Sequence, residues 1–129
     1  MLREEPIQVA ESVATDEEQA RLGLLPGEMV YCVDRMRGHR EQLLVENIRL
    51  PAALFPSLQT PVSRITNLAT TYGLELGQAL ENFCTIAASS SIANALGVMQ
   101  GTLLLMLDRV VHLRDGRPAE WRITYSLRD

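Results

Sequence analysis

The chain has 129 residues, 47% of them hydrophobic and 22% charged, with a formal net charge of -4. That length suits one domain spanning 1–129 with a core of its own, and the acidic balance excludes a nucleic-acid grip by this segment alone. No apolar run reaches the roughly 18–20 residues of a membrane span, and Met1-Leu2-Arg3-Glu4-Glu5 lacks the pattern of a secretory signal.

A cytoplasmic protein with no membrane partner is the expectation. Cys32 and Cys84 are too few for a disulfide scaffold, and both lie in apolar stretches, so they are predicted to be reduced core residues. His39 and His112 stand in no ligand spacing with those cysteines. No metal and no cofactor is expected.

From the N-terminus, Ile7 to Thr15 alternates loosely and predicts an opening strand. Thr15-Asp16-Glu17-Glu18 has the spacing of a capping box, predicting a short helix with Ala20 and Leu22 facing inward and Gly23 at its end. Pro26-Gly27 marks a turn. Met29 to Arg37 and Gln42 to Leu50 then read as a β-hairpin, with Leu44, Glu46, Ile48 and Leu50 on one face. Pro51 to Pro61 is irregular, and Ser63 is placed to cap a helix from Arg64 to Tyr72 whose stripe is Ile65, Leu68 and Ala69. Leu76 to Ala87 predicts a long strand. Ser89-Ser90-Ser91 opens another short helix ending at Gly97, and Thr102 to Leu113 and Ala119 to Leu127 flank the turn signal Asp115-Gly116.

The second half repeats part of the first at an offset of 96 − 22 = 74 positions. Leu22-Gly23 falls on Leu96-Gly97, Gly27 on Gly101, Asp34-Arg35 on Asp108-Arg109, and Glu46 on Glu120. A gap-free match of this kind predicts a duplicated unit (strand, helix, turn, hairpin) packed about a pseudo-twofold, with the segment from Pro51 to Tyr72 inserted. Antiparallel strands with a few helices imply an α+β fold, helices to one side of the sheet.

The chemistry concentrates on the hairpins. Arg35 and Arg37 project from one face of their strand. A turn centred on Glu41-Gln42 would set Arg37 opposite Glu46, with Arg35 diagonal to it. In the second hairpin Glu120 would face Val111, with Arg109 diagonal. These groups are either cross-strand ion pairs or a site in which arginines hold an anion and Glu46 and Glu120 accept from ligand hydroxyl or amino groups. No nucleophile with its base, glycine-rich phosphate loop or dinucleotide fingerprint is present.

The order Leu22-Gly23, Pro26-Gly27-Glu28, Arg35-Met36-Arg37, Glu46, Leu50-Pro51, Phe55-Pro56-Ser57-Leu58 resembles the UTRA domain, the effector-binding module of GntR-type regulators of the HutC subfamily. Tyr72-Gly73-Leu74, Asp108-Arg109 and Asp115-Gly116-Arg117-Pro118-Ala119-Glu120 continue the likeness to about Arg128. The resemblance implies a chorismate-lyase-like antiparallel sheet with flanking short helices, and a homodimer that senses an anionic small molecule such as a sugar phosphate or a carboxylate. It further implies that Arg35, Arg37 and Ser63 hold the anion and that Glu46 and Glu120 contact the rest of the ligand. Where the family often carries paired aromatics this chain reads Tyr125-Ser126, and Ser126 shares the Glu120 face under strand alternation. DNA would be reached only through a winged helix not present in this chain, which is then a fragment of a regulator or a stand-alone sensor. A lyase-like enzyme of the same fold acting on a small anionic acid is the alternative, as is an interaction module without a ligand.

Overall fold

The computed structural model describes residues 8–38, 42–58 and 64–127. Their order is β1 (Gln8–Val13), α1 (Asp16–Leu22), β2 (Met29–Arg37), β3 (Leu44–Pro51), a 3-10 turn (Ala52–Leu54), α2 (Ile65–Thr71), β4 (Leu76–Ala87), α3 (Ser90–Leu96), β5 (Leu103–Leu113) and β6 (Pro118–Leu127). The strands form one six-stranded sheet in the order β1-β2-β3-β6-β5-β4, and every neighbouring pair is antiparallel.

The duplication governs local structure closely. Adding 74 to the bounds of α1 gives those of α3. Thr15 and Ser89 are the N-caps, each accepting a backbone N–H through its hydroxyl, and at Thr15 the Glu18 carboxylate completes the capping box. Gly23 and Gly97 close the two helices in the left-handed region, φ 64° and 71°, where a Cβ would be strained. The halves join through β3 and β6, where Ile48 faces Arg122. Since 122 − 48 = 74, these two are repeat counterparts of each other, and the pseudo-twofold passes between them.

Strand alternation gives the sheet two faces. One carries Val30, Met36, Val45, Leu104, Val110 and Trp121, and α1 and α3 cover it with Leu22, Ala93 and Leu96. Leu22 is buried as predicted, but Ala20 is exposed; its place in the buried stripe is taken by Glu18, one turn before Leu22. The other face carries Val33, Ile48, Leu50 and Val111, covered by Phe55, Leu58, Ile65 and Leu68 of the inserted segment. Helices therefore lie on both sides of the sheet, not one, because the insertion needs an apolar face of its own to bury. Phe55 packs edge-on against Tyr72 at 5.4 Å, and the Tyr72 hydroxyl donates to the Pro56 carbonyl at 3.0 Å, tying the start of the insertion to the end of α2.

Two further expectations are corrected. In the first hairpin Arg37 pairs with Leu44 and Arg35 with Glu46, so the register is displaced by two residues from the predicted one. Gly38, at φ 113°, turns the chain directly after β2. Because the displacement is even, each side chain keeps its predicted face. Cys84 is exposed and Cys32 half-buried, for β4 is an edge strand with little packed against it, and a thiol there is not a core residue.

An added Cβ at Gly38 would lie 2.3 Å from the Gln42 carbonyl oxygen, whereas Gly116, φ 96°, has open space around it. Gly116→Ala is expected to cost about 1–2 kcal/mol through its dihedral alone. Gly38→Ala should cost clearly more. Urea denaturation midpoints of the two variants check this, and equal losses would remove the steric part of the account.

Candidate functional site

The charged residues singled out in the sequence meet on the insertion-covered face. Arg35 Nε donates to Glu46 Oε1 at 2.8 Å, with Arg37 Nη1 farther out at 3.7 Å from the same oxygen. The other Glu46 oxygen accepts from Arg122 Nη1 at 3.0 Å. Arg122 also donates through Nη2 to Glu120 Oε2 at 3.0 Å, and Arg109 Nη2 reaches Glu120 Oε1 at 3.3 Å. One chain of charge thus runs across β2, β3, β6 and β5, with Arg122 as the bridge at the pseudo-axis.

This network is buried. Glu120 is 0% exposed, Glu46 4%, Arg35 7% and Arg122 8%. Burying a carboxylate at that depth is costly unless cations pair with it: Glu46 has three guanidinium neighbours and Glu120 two. Burial opposes the charge of Glu46, but Arg122, the Arg35 hydrogen bond, the Arg35 charge and Arg37 together outweigh it and hold its pKa below the ordinary 4.5. The Nε atoms of Arg109 and Arg122 are buried without an acceptor. Each such donor costs about 1–3 kcal/mol of desolvation.

Above the network lies a cavity of about 380 Å³, lined by Arg37, Leu44, Glu46, Arg64, Ile65, Thr66, Arg109 and Arg122. β2, β3, β5 and β6 form its floor, and the N-terminal end of α2 its roof. Arg64 occupies the α2 N-cap position and makes no capping hydrogen bond through its side chain. Among the described residues, four guanidinium groups therefore line a space with one carboxylate, Glu46, which is already neutralised from below. Such a lining attracts anions.

Comparison with known protein families matches the UTRA domain over residues 3–129. The chain belongs to the UTRA domain family. It is 29% identical over 99 residues to the HTH-type transcriptional regulator Rv0792c of Mycobacterium tuberculosis, a stretch covering 70% of this chain and 37% of that protein. It spans, then, about a third of that relative. Among solved structures, a ligand-binding domain assigned to a GntR-family transcriptional regulator of Bordetella bronchiseptica superimposes with a TM-score of 0.86 at 26% identity, covering 100% of this chain and 83% of the other. The effector domain of PhnF from Mycobacterium smegmatis shares the fold, with a TM-score of 0.82 at 18% identity over 93% of this chain and 76% of its own. The first two of these relatives are transcriptional regulators.

Within this UTRA domain the residues expected to bind ligand fall into two sets. Arg37 and Glu46 line the cavity; Arg35 and Glu120 lie beneath it as part of the ion network. Each of the four oxygens of Glu46 and Glu120 accepts one hydrogen bond from an arginine, and a carboxylate oxygen has room for a second. Ser126 is on the predicted face, beside Leu44 and Leu105, but does not line the cavity. Ser63 lies outside the described residues.

Arg122 and Arg64 were not anticipated. Strand alternation from Glu120 does put Arg122 on the same face, but the repeat gives it an apolar counterpart, Ile48, and its Glu46 contact requires the β3–β6 pairing. A second cavity of about 340 Å³ lies on the helix-covered face, lined by Glu17, Asn47, Arg49, Trp121 and Tyr125 among others. Its arginine is taken: Arg49 pairs with Glu18 at 3.0 Å and with Asp34 at 2.8 Å. Among the described residues no group of histidine, cysteine, aspartate and glutamate side chains could hold a metal ion, and no helix is long and apolar enough to cross a membrane.

Since the folded pKa of Glu46 lies below its unfolded value, its charge stabilises the fold at neutral pH. That stability is lost as pH falls from about 4.5 toward the folded pKa. The stability difference between the protein and its Glu46→Gln variant should therefore narrow below that pH. A gap unchanged down to pH 3, followed by chemical denaturation, would deny the ionic contribution.

Proposed function

We propose that this UTRA domain is the sensing part of a GntR-type transcription regulator and that it binds a small anionic metabolite in the arginine-lined cavity. The observation that carries this is the imbalance of charge at the cavity wall, in a chain whose net charge is -4. A fold that merely needed ion pairs would match its cations with carboxylates. Here Arg37 and Arg64 have reach to spare: Arg64 is exposed, the Arg37 side chain is 39% exposed, and the ion pair from Arg37 to Glu46 is a long 3.7 Å. Arg35, Arg109, Arg122, Glu46 and Glu120 form the frame that orients the floor. Ligand energy would reach a DNA-binding domain outside this chain by favouring one arrangement of the regulator over another.

We further propose that the domain works as a homodimer joined along β4. That strand has 12 residues of which only Glu81 is charged, and among the described residues one row of its backbone N–H and C=O groups has no strand partner. Edges of this length are ordinarily blunted by lysine, proline or a covering element. Leu80 and Phe83 are instead 58% and 63% exposed. A second copy running antiparallel satisfies the edge with closed symmetry.

Two outcomes are expected. Phosphorylated or carboxylated metabolites at millimolar concentration should raise the melting temperature by mass action, and Arg37→Ala should weaken that binding about tenfold or more while leaving stability within about 0.5 kcal/mol. Equal loss of binding and stability would favour a purely structural role for the arginine. Replacing Leu80 and Phe83 together by lysine should convert a dimer to a monomer in light scattering after gel filtration, with the circular dichroism spectrum unchanged. A monomeric parent protein would refute the β4 interface.

A further inference from the structure

Building on the anion-sensing reading, we propose that the ligand carries two separate anionic groups and spans the Glu46 carboxylate. One group would be held by Arg37, the other by Arg109 and Arg122. The cavity is not a single cationic focus. Arg37 stands on β2, whereas Arg109 and Arg122 stand on β5 and β6, and β3 lies between them with Glu46. β2 and β5 are three strand spacings apart, roughly 14 Å before the side chains lean inward.

Glu46 divides the two arms. One of its oxygens faces Arg35 and Arg37, the other Arg122. A lone carboxylate or phosphate can approach either side of it but cannot bridge both. The far arm also holds unused hydrogen-bonding capacity: the Nε donors of Arg109 and Arg122 are the two buried side-chain atoms without a partner among the described residues. Charge counting agrees. With Arg35 and Glu120 beneath the cavity included, five guanidinium groups (Arg35, Arg37, Arg64, Arg109 and Arg122) meet two carboxylates among the described residues, and Glu81, the register neighbour of Arg109 on β4, is exposed and forms no ion pair there. One negative charge on the ligand leaves that lining uncompensated; two or more, set apart, fit it.

The test is calorimetric titration of the 129-residue chain with matched probes: succinate, glutarate and adipate against acetate and butyrate, and 3-phosphoglycerate against inorganic phosphate. The best two-group probe should bind at least about tenfold more tightly than its single-group counterpart. Arg37→Gln, and Arg109→Lys, which keeps the charge but removes the Nε donor, should each abolish that advantage. If Arg109→Lys fails to fold by circular dichroism, Arg122→Lys replaces it. Single-group probes binding as tightly as every two-group probe, in a manner that depends on Arg37, would overturn the two-group proposal and leave the sensor reading standing. An advantage that survives both substitutions would also overturn it. Failure of both probe series to bind would overturn both.

Discussion

The guanidinium of Arg122, held between Glu46 and Glu120, is the contact on which the rest of this domain depends. A duplicated unit places a glutamate at the same position in each half, and the antiparallel joining of β3 to β6 brings the two copies toward one axis. Two buried carboxylates so close would repel each other and lack hydration. One arginine at the axis answers both, and the partners Arg35 and Arg109, themselves a duplicated pair, complete the neutralisation. Replacing such a network by apolar residues need not weaken a fold, so its presence is weak evidence of stability as such. Its effect is to lay a rigid, charged floor under a cavity.

The symmetry is broken at the cavity. Arg122 has Ile48 as its counterpart, and Arg37 has Val111. The apolar members of those pairs pack beneath the insertion, and the charged members face the cavity. The insertion also resolves a packing problem: it covers the half of the face that is apolar and leaves the half that is charged beside its own helix terminus.

Much of this was legible in the residues. The bounds of β2 and β4, both capping motifs and the two terminal glycines follow from short-range chemistry, and the 74-residue offset made each half a check on the other. The errors share a cause. The rung on which Glu46 sits depends on where Gly38 turns the chain, which loop composition does not reveal. That Cys84 is exposed depends on β4 being last in the sheet, and Arg122 meets Glu46 only because β3 and β6 are neighbours. Strand order is a property of the whole chain. Local pattern identifies which face a side chain takes, but not which strand lies alongside it.

The alternation of β6 has one more consequence. Arg122 points to the cavity, and the residue before it, Trp121, points to the helix-covered face. There the indole donates to Asp108 at 3.0 Å, and the Arg21 guanidinium lies 5.1 Å over its ring and pairs with the same Asp108. Trp121 is the single tryptophan of the chain. The domain therefore carries an intrinsic fluorophore back-to-back with its cavity, seated against a cation and an anion whose field sets the emission wavelength. Any shift of β6 provoked from one side of the sheet is written as light on the other.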